Sequence, residues 1–141
     1  MIEREKKLKV IREWVEKAEN DLANAIHTLE MEKRCPTDTV CFHAQQCVEK
    51  YLKAILVWNG IDFPKTHNIS DLVALIPLGA PLPLKNEEQD RLTEYATAMR
   101  YPGDYETIPL SEARKAVRMA RRTRKAARLM LPKEMLRWRR R

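Results

Sequence analysis

Glycine is scarce in this chain. Its three residues, Gly60, Gly79 and Gly103, are too few and too scattered to form the glycine-rich loop that wraps a phosphate in backbone amides. Cysteine is equally sparse: Cys35, Cys41 and Cys47 are odd in number and contain no Cys-x-x-Cys pair. That excludes a disulfide framework and favours reduced thiols in a cytoplasm. His43 and Cys47 share a helix face at i,i+4, but Cys41 points elsewhere. The three therefore make no zinc ligand set, core packing accounts for the thiols, and neither metal nor cofactor is expected. No apolar run approaches the roughly 20 residues that span a bilayer, and residues 1–7 carry no apolar stretch of a secretory leader. A membrane partner is accordingly not expected. Period-2 alternation, internal repeats and low-complexity tracts are also missing, which leaves an all-α protein.

What is present is charge, unevenly placed. The chain has 141 residues, 33% charged and 44% hydrophobic, with a net charge of +7, the size and make-up of one globular domain. Residues 111–141 hold 13 Lys/Arg against Glu112 and Glu134, a local +11, whereas the first 110 hold 14 basic and 18 acidic side chains, or −4. A field so concentrated attracts polyanions by releasing their counterions.

Apolar residues at steps of three and four (Leu8, Ile11, Val15, Ala18, Leu22, Ile26, Leu29) predict a first helix over about 5–31. Pro36 breaks it, and Thr37 or Asp38 can cap a second helix running to Trp58 and stopping at Asn59-Gly60. Cys41, Ala44, Val48, Tyr51, Leu52, Ile55 and Leu56 give that helix a band wide enough to face two neighbours. Asn68-Ile69-Ser70-Asp71 has the spacing of a cap for a short third helix ended by Pro77. Asn86 starts a fourth, closed at Arg100 by Pro102-Gly103, and Ser111 caps a fifth with Ala113, Ala116, Val117, Ala120 and Ala127 inward. The expected organisation is a helical bundle over 1–131 and a basic, mobile tail over 132–141.

Two places carry chemistry. Helix two is studded with Gln45, Gln46, Glu49, Lys50 and Lys53, polar groups that must find partners if buried; the glutamines and Glu49 are expected to bond neighbouring helices or to line a self-association surface. Arg100 closes helix four at a turn, where its planar fork can meet a phosphate with Asp104 one turn away to orient it. His67 is either a proton carrier or a loop histidine whose ring bonds the backbone beside a helix start.

The segments Phe42-His43-Ala44-Gln45-Gln46-Cys47-Val48-Glu49-Lys50-Tyr51-Leu52-Lys53-Ala54, Pro64-Lys65-Thr66-His67-Asn68-Ile69 and Arg100-Tyr101-Pro102-Gly103-Asp104 together resemble the HEPN domain (higher eukaryotes and prokaryotes nucleotide-binding) in order and spacing, over roughly residues 8–130. The resemblance implies an up-and-down bundle of four to five helices that forms a homodimer. It also implies a partner, a minimal nucleotidyltransferase, with which the domain makes a toxin–antitoxin pair. In active members the toxin is a metal-independent ribonuclease whose signature is an Arg followed after four to six residues by a His. Here Arg100 matches, but Tyr105, Glu106 and Thr107 occupy the histidine positions. The resemblance thus implies a component that binds nucleotide or RNA through Arg100, Asp104, Tyr105, His67 and Lys53, with Gln45, Gln46 and Glu49 in the dimer cleft. The alternatives are a ribonuclease using Arg100 with His67, His43 or Glu106 as base, and a non-catalytic structural adaptor.

Overall fold

The computed structural model describes residues 2–77, 79–80, 82–96 and 107–136. Among these, every regular element is a helix: α1 (Ile2–Leu29), α2 (Thr37–Trp58), α3 (Ile69–Leu75), α4 (Asn86–Ala96) and α5 (Leu110–Met130), with 3-10 turns at Glu32–Arg34 and Lys133–Met135. No helix among them is long and apolar enough to cross a membrane.

The periodic apolar positions of α1 and α5 each form one stripe, while α2 is buried on most of its circumference. Cys41, Ala44, Val48, Tyr51, Leu52, Ile55 and Leu56 are all inaccessible, and α2 touches α1, α3, α4 and α5. It is the central helix, as its wide apolar band requires. Cross-helix pairs give the directions. Asp21 meets Lys50 and Lys7 lies over Trp58, so α1 and α2 run antiparallel. Glu88 meets Arg122 and Arg91 meets Glu112, so α4 runs against α5. The result is an up-and-down bundle. Small residues let α5 approach closely: Ala113, Ala116, Ala120 and Ala127 are fully buried and α5 packs chiefly on α2.

The helix ends show where local sequence signals hold. Asn68 caps α3, its side chain accepting from the Asp71 amide at 3.0 Å. At the end of α2, Gly60 takes φ +69, and the Gly60 and Ile61 amides return to the carbonyls of Val57 and Leu56, a Schellman stop that needs the missing Cβ. Elsewhere the caps differ from expectation. Pro36 and Pro109 stand at the N-cap positions of α2 and α5. The Thr37 hydroxyl donates instead to the carbonyl of Ile108 at 2.6 Å, tying the two helix starts together, and Ser111 lies inside α5. For α4 the capping group is Glu88, which accepts from the Lys85 amide at 3.0 Å.

The packed body also extends past the boundary expected at 132. Met135 is 1% exposed, Glu134 bonds Arg4, and Arg128 donates to the carbonyl of Leu136. A large apolar side chain three residues beyond Pro132 draws the chain back onto the bundle. Residues 137–141 lie outside the described residues.

Candidate functional site

The polar groups of α2 converge on one carboxylate. Glu49 faces the 64–68 loop rather than water: its side chain is 3% exposed. Charge at such depth is tolerated only when paired and hydrogen-bonded, and four donors supply this. Lys53 Nζ lies 3.0 Å from Oε2, while His67 Nδ1 at 2.8 Å, Gln45 Nε2 at 3.1 Å and Gln46 Nε2 at 3.4 Å meet Oε1. Gln45 also donates to the carbonyl of His67 at 2.9 Å and accepts from Gln46 at 2.7 Å. Spacing explains the convergence: 45, 49 and 53 are one turn apart on one face of α2, and the Schellman stop turns the chain back so that the loop crosses that face.

The arrangement determines which nitrogen of His67 is available. An ionised carboxylate only accepts, so Nδ1 carries the hydrogen toward Glu49, and in the neutral ring the lone pair resides on Nε2. The His67 side chain is 65% exposed although its partner is buried. A buried carboxylate orienting a solvent-facing imidazole is the geometry of a general base. The ring bonds this side chain; it is the His67 carbonyl, not the ring, that joins the backbone-directed contacts.

Lys53 is placed differently. It is 7% exposed, bound to Glu49 and flanked by the rings of Trp14 and Phe63 at 5.4 and 5.9 Å. Its charge is already matched, and a phosphate could use it only by opening that pair. Gln45 is inaccessible and Gln46 half-buried; both serve the intramolecular network. Arg100, Asp104, Tyr105 and Glu106 lie outside the described residues. Just after the loop, α4 meets the start of α3, where the Ile69 amide donates to the Thr93 hydroxyl at 2.9 Å.

A second set of charges joins α1 to α2 and α5, and sequence reasoning did not single it out. His43 Nδ1 lies 2.9 Å from Asp21, which also holds Lys50. Glu19 accepts two bonds from Arg124, at 2.7 and 2.9 Å, and one from the Tyr51 hydroxyl at 2.7 Å. Burial pushes the Glu19 carboxyl up, but bonds from Arg124 and Tyr51 and the guanidinium charges of Arg124 and Arg128 outweigh it and hold it below its usual value. Burial raises the Tyr51 hydroxyl, reinforced by Glu19. The available signal was the position of Glu19 and Asp21 beside the apolar stripe at Ala18 and Leu22, where an acid meets whatever helix packs next. The cysteines are free; burial, with Glu112 nearby, pushes the Cys41 thiol up to about 12 and burial raises Cys47 as well, the state of inert core thiols.

Comparison with known proteins agrees with this architecture. A family model for the HEPN domain matches residues 11–138. The structure is similar to the crystal structure of TT1696 from Thermus thermophilus, at 26% identity and a TM-score of 0.69, over 86% of this chain and 98% of that one. It shares its fold with ST0689, an archaeal HEPN homologue, at 24% identity and a TM-score of 0.66, again over 86% and 98%. No significant match to a curated protein was found.

Proposed function

This chain belongs to the HEPN family, and on that premise we propose that it is the nucleotide- or RNA-binding member of a toxin–antitoxin-like pair with a minimal nucleotidyltransferase. Two copies associate, and Arg100, Asp104, Tyr105 and His67 line the binding cleft, with Gln45, Gln46 and Glu49 holding His67 in place. The observation that supports this most is the exposed His67 ring anchored at 2.8 Å to a carboxylate that is itself buried. A loop built that rigidly presents a donor or acceptor at a defined point, which is what selective binding of a nucleotide requires.

The test is co-expression with a minimal nucleotidyltransferase from the same genome, followed by capture and light scattering. A 2:n complex that retains nucleotide or RNA supports the reading. A monomer that binds neither the partner protein, nucleotide nor RNA rejects it.

The orientation of His67 favours one further reading, a metal-independent ribonuclease. Arg100 would stabilise charge on the scissile phosphate, and His67 Nε2 would take the proton from the ribose 2′-OH in place of the missing motif histidine. RNA cleavage should then persist in EDTA and fall by about 100-fold or more in His67→Ala and in Arg100→Ala. Intact RNA after long incubation with clean wild-type protein would remove this reading while leaving the binding role.

A further inference from the structure

Tyr51, two residues on from Glu49 and so on another side of α2, leads to a separate feature: an open groove between α1 and α5 of about 600 Å³. Its floor is apolar, with Leu22 and Ile26 of α1; its rim is Arg121, Arg124, Lys125 and Arg128 of α5. The one acid lining it, Glu19, is engaged by Arg124, Tyr51 and, at 3.9 Å, Arg128, which leaves Arg121 and Lys125 of the rim unbalanced.

Three of these cations, Arg121, Lys125 and Arg128, belong to a row that continues beyond the groove through Arg118 and Arg114. Arg114, Arg118, Arg121, Lys125 and Arg128 follow steps of four and three, which places them one above another along a single face of α5 at about one helical pitch, ~5.4 Å, over a length of ~21 Å. Arg114, Arg118, Arg121 and Lys125 are exposed and make no ion pair among the described residues. By contrast Arg122, on another face of the same helix, is paired with Glu88. Neighbours of like charge at i,i+3 and i,i+4 repel each other, so the row raises the energy of the free helix unless an anion lies along it.

We infer that the α1–α5 groove is a track for the sugar–phosphate backbone of single-stranded RNA, apart from the Glu49–His67 cluster. A uniform row of charge one turn apart suits uniformly spaced phosphates better than an acidic protein, whose carboxylates need individually placed partners. The Leu22–Ile26 floor gives riboses and base faces an apolar bed without base-edge donors, so the track is indifferent to sequence. The inference rests on the RNA-binding reading above and adds to it the surface that holds the strand.

The test uses fluorescence anisotropy of a labelled 12-nucleotide oligouridylate over a series of salt concentrations. The triple variant R118Q/R121Q/K125Q changes exposed positions to another good helix former and is checked by circular dichroism. We expect at least 10-fold weaker binding at low salt and a log–log salt slope smaller by about two, from about 0.7 per lost single-strand contact. K6Q/K17Q/K85Q, which removes equal charge elsewhere, should bind within about 2-fold of wild type. The charge-conserving R118K/R121K should do the same, since a track reads charge.

Unchanged affinity and slope in R118Q/R121Q/K125Q would overturn the track, as would wild type that does not bind the oligonucleotide. So would a triple variant that keeps the oligonucleotide but loses the nucleotidyltransferase, which would make the groove a protein-docking face. The cleft reading is decided separately, by binding of a mononucleotide and by capture of the partner protein with wild type.

Discussion

Glu49 on α2 and Glu19 on α1 are two acids on different sides of the central helix, and they show how depth alters the meaning of an ion pair. Glu49 is 3% exposed, and its cation, Lys53, is sealed with it behind Trp14 and Phe63. Among its described partners, the His67 ring is the most exposed. Glu19 is 19% exposed and lines an open groove, where Arg124 neutralises it and further guanidinium and ammonium groups remain. One acid organises a buried network that meets solvent chiefly through His67; the other anchors the edge of a surplus positive field.

If that contrast is right, removing the deeper acid has the largest effect. Glu49→Gln keeps the shape of the side chain but leaves Lys53 buried without an anion, and it should lower the free energy of unfolding in urea by about 3–5 kcal/mol. The double change E49Q/K53M sharpens the point. It removes both charges and should recover most of that loss, to within about 2 kcal/mol of wild type. A double variant as unstable as the single would mean that the hydrogen bonds to Gln45 and His67, rather than the trapped charge, dominate.

Glu19→Gln should cost less, about 2 kcal/mol, because the groove lets water reach Arg124. It should also change the response to acid. The folded carboxyl titrates below its unfolded value, so its contribution is complete above the unfolded value of about 4.3 and disappears as pH falls through the lower folded one. Wild type should therefore lose more stability than Glu19→Gln between about pH 5 and pH 2.5, measured as the shift in urea midpoint at each pH. Parallel pH profiles would show that Glu19 is not specially stabilised.

The smallest effect on stability is expected at His67. Its ring is mostly exposed, so His67→Asn should cost less than about 1 kcal/mol while weakening nucleotide or RNA binding. A large loss of stability without loss of binding would recast the residue as a structural tie between loop and α2.

Much of the scaffold was legible from side-chain periodicity. The stripe of α5, the band of α2 and, in α1, Ile11, Val15, Ala18 and Leu22 are buried where a 3.6-residue period places them, with Leu8, Ile26 and Leu29 partly buried at the margins, and Asn68 caps α3 as its spacing to Asp71 suggests. Less legible were the starts of α2 and α5, because Thr37 spends its hydroxyl on Ile108, 71 residues away. A local signal cannot report a partner so distant in sequence. Likewise the cluster on α2 was visible as an excess of polar residues. That Lys53 would be buried and His67 oriented by Glu49 depended on a loop folding across the helix.

What the amino-acid order alone determined is the set of helices, the face each one buries and the gathering of positive charge on the last of them. These follow from nearest-neighbour geometry along a helix, where residues three and four apart share a side. Tertiary structure decided which charges meet. Pairing depends on the approach of segments 18 to 105 residues apart, as for His67 with Glu49 and Arg124 with Glu19, and on how much water stays between them. Only the packed bundle could therefore separate a sealed network from an open, positively charged groove.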